Sequence, residues 1–194
     1  MIKGSDPSLY EFVYRGILAE TALDVVGRRD LHHGAELDDL RRALSLDLYE
    51  AEYLLPASEM AVVYTAIAAF ENSVRRFVFK VLIENFGEEW WEKGVSRNIQ
   101  EFVEKRRDDE EKTRWHGARG GDQLSYTELG HLPKIMQQNW ELFEPYVSRI
   151  DWATSIFATL ERSRNVIMHG GVLAMPDIER IGMSTRDWNA QVSL

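Results

Sequence analysis

A chain of 194 residues that contains no cysteine and carries a formal charge of −9 at neutral pH excludes several chemistries at the outset. Disulfides, a thiol nucleophile and a cysteine-ligated zinc all need the missing residue, and non-specific coating of nucleic acid needs the opposite sign of charge, because phosphate neutralisation supplies most of that affinity. The rest of the composition, 44% hydrophobic and 28% charged, is ordinary for a globular protein long enough to form one domain with a core. No apolar run is read as a membrane span, and no basic-then-apolar leader precedes the first helix. A cytoplasmic protein is the expectation, and any nucleic-acid contact has to be local.

In chain order, almost every segment reads as helix. Leu9, Phe12, Val13, Ile17 and Leu18 have helical spacing and predict a helix over 9–26. The stretch "GRRDLHHG" then breaks it through Gly27 and Gly34, and a second helix follows over about 35–48. Pro56 marks a boundary, since proline restricts its predecessor and fits best in a first helical turn. It separates an N-terminal helical extension (1–55) from a bundle (56–194). The strongest helix is expected over 58–86, where Met60, Val63, Ile67, Phe70, Val74, Phe77, Val81 and Leu82 advance in threes and fours and Gly87 stops the run. Trp90 and Trp91 are expected to anchor the next connection.

A more polar helix over 96–114 carries Ile99, Phe102 and Val103, and its second half, "EKRRDDEEKTR", has the alternating sign of a solvated face. "WHGARGGDQ" reads as a loop. Leu129, Leu132, Ile135 and Met136 predict a short helix, and Asn139 and Trp140 lead out of it. Asp151 is a candidate N-cap for a helix whose apolar side is Trp152, Ile156, Phe157, Leu160, Ile167 and Met168, ended by Gly170. A last helix from Pro176 is expected to bury Ile178, Ile181 and Trp188. With no strand-like alternation, the fold class is all-α, a helical bundle with an N-terminal helical extension.

Four clusters are candidates for function. Arg164, Asn165 and His169 lie near the end of the helix that follows Asp151, with Asn165 and His169 four apart on one face. Histidine is the side chain whose ordinary pKa suits proton transfer at neutral pH, and a guanidinium suits phosphate charge. The alternative is a cationic helix end closed by glycine, with Arg164 paired to Glu161. Glu71 falls next to the apolar stripe of the long helix, so it needs a partner; either Arg75 pairs with it, or it orients Arg164 or His169. In "RWHGARGG", Arg114, His116 and Arg119 supply charge for an RNA-guiding edge with Trp115 as a stacking face; the alternative is a solvent loop pinned by Trp115. His32, His33 and Glu36 resemble a metal trio, but Gly34 interrupts the helix that would align them, so no metal and no cofactor is expected. His131 precedes a helix and has no evident partner.

An arginine followed by a polar residue, then a histidine four to six residues beyond the polar one, is the mark of the HEPN superfamily, which the chain resembles through Arg164, Asn165 and His169. The likeness is closer to the Swt-type branch, over roughly 60–181, through "FENSVRRFV", "FGEEWWEKGVS", "EKTRWHGARGGDQLSYTELGHL", "IMQQNWELF" and "RNVIMHGGVL". The resemblance implies a helical bundle that dimerises and brings two arginine–histidine motifs together. It also implies a metal-independent endoribonuclease of the kind found in toxins and in anti-phage or RNA-surveillance systems, with an antitoxin or sensor protein as a possible partner. By the same resemblance His169 handles the proton, Arg164 steadies phosphate charge, and Asn165 orients the motif or bridges the interface. A tyrosine two residues after the histidine, frequent in toxins paired with a nucleotidyltransferase, is here Gly171. The alternative reading is a non-catalytic HEPN module that binds RNA, a nucleotide or a partner protein.

Overall fold

The computed structural model describes residues 28–192, with side chains described from Glu36 onward. The helix expected over 9–26 lies outside the described residues, as do the side chains of His32 and His33. The chain divides into two compact units, Met1–Leu54 and Leu55–Leu194.

In the first unit, helix α1 (Arg28–Ala43) is followed by a 3₁₀ turn at Leu46–Leu48. The expected break at Gly34 does not occur. An interior glycine costs only about 1 kcal/mol relative to alanine, and a helix of 16 residues absorbs that.

Helix α2 (Ala51–Phe86) starts before Pro56, not at it. Pro56 is the sixth residue of the helix, where it forgoes the backbone bond to Glu52 O, and a run of 36 residues tolerates that loss. The long stripe is as the spacing dictates: Met60, Val63, Ile67, Phe70, Val74, Phe77, Val81 and Leu82 are all buried, together with Val78. Gly87, at φ 58°, ends the helix in a conformation that glycine adopts without strain. Among the described residues, the helical stretch Ala51–Gly94 contains one 18-residue window of mean hydropathy 1.4, long and apolar enough to cross a membrane by length and composition alone.

Short helix α3 (Trp90–Gly94) buries both tryptophans. Its end is secured by buried Gln100, whose side-chain amide donates to the carbonyls of Trp91 at 2.9 Å and Val95 at 2.8 Å. Gly94 packs so tightly that a Cβ there would meet Leu82 at 2.9 Å. Helix α4 (Arg97–Glu111) buries Ile99 and Val103. Helix α5 (His131–Gln138) buries Leu132, Ile135 and Met136 completely, and α6 (Trp140–Phe143) follows at once. Asn139 Nδ2 donates to Gly94 O at 2.7 Å and to Ile135 O at 2.8 Å, joining α3 to α5.

Helix α7 (Ile150–Met168) has Arg149 at its N-cap, not Asp151. Asp151 lies inside the first turn, where its charge still complements the helix dipole. Ala153, Ile156, Phe157 and Leu160 form its buried side, while Met168 is exposed, contrary to its expected place. Helix α8 (Met175–Val192) buries Ile181 and Trp188. The Trp188 ring is the aromatic centre of the bundle, 5.8 Å from Phe70, 6.0 Å from Phe77 and 5.3 Å from Phe157, with Trp152 stacked on it at 6.0 Å. Among the described residues there is no strand.

Candidate functional site

The end of α7 is built by its glycines. Gly170, at φ 75°, donates its N–H to Ile167 O at 3.0 Å, and Gly171 donates to Val166 O at 2.9 Å. This pair of bonds is the Schellman closure, which needs a left-handed residue just past the C-cap. A Cβ on Gly171 would lie 2.9 Å from the carbonyl oxygen of Val166, so both glycines are required by the turn. His169 is the C-cap. Its side chain and that of Asn165 are exposed. The chain then returns to α2, where Leu173 N–H reaches Met60 Sδ at 3.3 Å. Exposed Val166, Met168, Val172 and Met175 flank the histidine along the chain.

Arg164 points elsewhere. Five residues separate it from His169, about 140° round the axis at 3.6 residues per turn. Its guanidinium lines a cleft of about 310 Å³ between α2, α4, α7 and the 119–128 segment. That lining includes Arg75, Arg106, Arg119, Glu71 and Glu128, but neither Asn165 nor His169. Glu71 is buried at 7% exposure and stands between two cations: its Oε1 accepts from Arg75 Nη2 at 2.5 Å and its Oε2 lies 3.9 Å from Arg164 Nε. Glu71 thus pairs with Arg75, and Arg164 lies within ion-pair distance of its other oxygen.

The four arginines differ in how fully they are used. Arg75 donates to Glu71, to Asn72, to Leu124 O at 2.9 Å and to Thr127 O at 3.0 Å. Arg106 donates to Glu128 at 2.6 Å and to Tyr126 O at 3.3 Å, and lies 4.3 Å above the Phe102 ring. These two hold the cleft wall together. Arg164 has only the 3.9 Å approach to Glu71. Arg119 has only a 3.5 Å approach to Glu110, and its side chain is 51% exposed. Neither makes a side-chain hydrogen bond among the described residues.

The loop that carries Arg119 is not pinned by Trp115, which is 84% exposed. Glu110 pins it instead. Its Oε1 accepts from the Arg119 backbone N–H at 3.1 Å, and its Oε2 accepts from the Tyr126 hydroxyl at 2.5 Å. The bond to Glu110 comes first, then burial and the carboxylate charge, in holding the Tyr126 hydroxyl above its ordinary pKa. Asp122 closes the loop by accepting from Ser125 N–H at 2.8 Å. Arg114 and His116 line a separate cleft with Arg107 and Tyr126, and Arg114 pairs with Glu111. The three charges expected to act together are thus split, with Arg119 on the Arg164 side and Arg114 and His116 on the other.

Glu110, Arg106 and Glu128 were not anticipated from the sequence. A signal was there for two of them: Ile99, Val103, Arg106 and Glu110 continue one helical face at steps of four, three and four, so the inward stripe of α4 simply turns polar.

A family model described as Swt1-like HEPN matches residues 65–193. The match takes in α7 with Arg164, Asn165 and His169, the glycine loop and all of α8, so the chain belongs to the Swt1-like HEPN family. No curated protein and no solved structure matches it.

Proposed function

We propose that the protein is a metal-independent endoribonuclease that works as a homodimer in the cytoplasm, as the effector of a toxin or defence system restrained by an antitoxin or sensor protein. The observation that carries the reading is the exposed His169 on a glycine-closed helix end, within the family match and flanked by exposed Met168, Val172 and Met175. Apolar side chains round a polar motif suit burial against a second copy.

In such a dimer one His169 takes the proton of an RNA 2′-hydroxyl, and the freed oxygen attacks the adjacent phosphorus. The 5′-oxygen bond breaks, and the partner copy's histidine returns a proton to that leaving oxygen. The products are a 2′,3′-cyclic phosphate and a 5′-hydroxyl. Arg164 steadies phosphate charge, and Asn165 fixes the motif at the interface. Two histidines are needed because one ring cannot be base and acid in the same event.

A second reading is favoured by the position of Arg164, which lines the intramolecular cleft away from His169: the protein binds RNA, a nucleotide or a partner protein without cutting. The test is incubation of the purified protein with structured RNA in EDTA. Cleavage is expected, with a loss of at least 100-fold in His169→Ala, in the range for removal of a general acid–base group. Intact RNA, or equal cleavage by the variant, would leave the binding reading in its place.

A further inference from the structure

The cleft between α2, α4 and α7 has two guanidiniums locked into its wall and two with their donors unspent. That division has a chemical meaning. A guanidinium has five N–H donors, and those of Arg75 and Arg106 are directed at carboxylates and carbonyls. Arg119 and Arg164 approach their carboxylates only at 3.5 Å and 3.9 Å, beyond hydrogen-bond length. Glu71 Oε1 is already taken by Arg75, and Glu110 is already engaged by the Tyr126 hydroxyl and by a backbone amide. Both Glu110 oxygens are thus engaged, and Glu71 Oε2 stays 3.9 Å from Arg164 Nε, too far to bond it. The loop is nonetheless held in place by Glu110 and Asp122, so Arg119 is presented from a fixed base.

We infer that this cleft is a binding site for one backbone phosphate of a single RNA strand, gripped between Arg119 and Arg164. A phosphodiester offers two unshared oxygens, which match two forked donors. Asn72 and Ser125 also line the cleft and supply neutral hydrogen-bonding groups. The half-exposed Tyr64 ring at its edge gives a base a face to rest on. The proposal rests on the nuclease reading in one respect: His169 lies five residues further along α7 and about 140° round its axis from Arg164, so the cleft would hold a phosphate of the strand other than the one that is cut. Arg119 is then a positioning residue, and Arg114, in its own ion pair on the other cleft, is not.

The experiment measures binding of a fluorescent 2′-O-methyl oligonucleotide, which has no nucleophile and survives intact, to the full chain across a salt series. Arg119→Ala is expected to weaken binding about tenfold, as for loss of a charge-assisted contact, and to lower the salt slope by about one. Arg114→Ala should bind as the wild type does, and equal thermal midpoints confirm that both variants fold. Affinity unchanged in Arg119→Ala, or an equal loss in Arg114→Ala, overturns the cleft. A free mononucleotide that competes with Arg119-dependent strength equal to the strand overturns a strand as its occupant. If His169→Ala abolishes cleavage while Arg119→Ala binds normally, the nuclease reading stands and the cleft falls; Arg119-dependent binding without any cleavage gives the reverse.

Discussion

The Nδ1 of His131 accepts a hydrogen bond from the Glu128 backbone N–H at 3.1 Å, and the ring meets Phe102 edge-on with centroids 4.7 Å apart. Burial lowers its pKa below the ordinary 6.5, with Lys134 and Arg106 adding to the effect and Glu128 opposing it. The folded protein therefore binds fewer protons there than the unfolded chain does, so the stabilisation is complete above pH 6.5 and is lost as the pH falls below it. Thermal midpoints at pH 7.5 and pH 5.5 test this. His131→Asn keeps an acceptor near Nδ1 and does not titrate, so it should lose less on acidification than the wild type; parallel losses would refute the assignment. The partner was invisible in the sequence because an acceptor of a backbone N–H three residues earlier leaves no pattern. Glu71 is the contrary case. Its place beside an apolar stripe announced a buried carboxylate, and only the choice among Arg75, Arg164 and His169 was open.

At the level of the element, the run His169–Gly170–Gly171 has two jobs that the sequence alone did not separate. The glycines close α7, and in doing so they turn the histidine outward. Gly170→Ala places a Cβ in the left-handed region and should cost about 1 kcal/mol of stability. Gly171→Ala brings a Cβ within 2.9 Å of Val166 O and should cost more, because the closing bond itself is obstructed. Urea denaturation followed by circular dichroism gives both values, and two variants as stable as the wild type would show that another turn serves equally well. Termini marked by glycine were legible in this way at Gly87 and Gly170. Breaks inferred from Gly34 and Pro56 were not, since each residue weakens a helix by an amount that a long run outlasts. Trp115 was misjudged for a similar reason: local composition marks a tryptophan as an anchor, whereas Glu110, hidden in a charge run, does the anchoring through Tyr126, sixteen residues on.

Across the whole molecule, the bundle could be anticipated from apolar periodicity, but the cleft could not. Arg75 reaches Leu124 and Thr127, 49 and 52 residues away, and no local spacing encodes such a meeting. The overall charge of −9 sets the conditions for any RNA contact, which must gather its positive charge in one place, as Arg119 and Arg164 do. The proposed composite site adds a requirement on assembly. Met168 is 59% exposed beside His169, so Met168→Asp should convert a sedimenting dimer to a monomer and remove cleavage while helix content is unchanged. A wild-type protein that sediments as a monomer at micromolar concentration would end the two-histidine mechanism.

The solvent-facing indole of Trp115 also makes the protein its own optical probe. Three of the other tryptophans are buried and two are partly covered, so an aqueous quencher reaches this ring first. Whatever settles on the glycine loop, whether a nucleobase or another polypeptide, shields that emission without a label being attached. The most exposed of the described large hydrophobic residues thus becomes the most direct reporter of what approaches that loop.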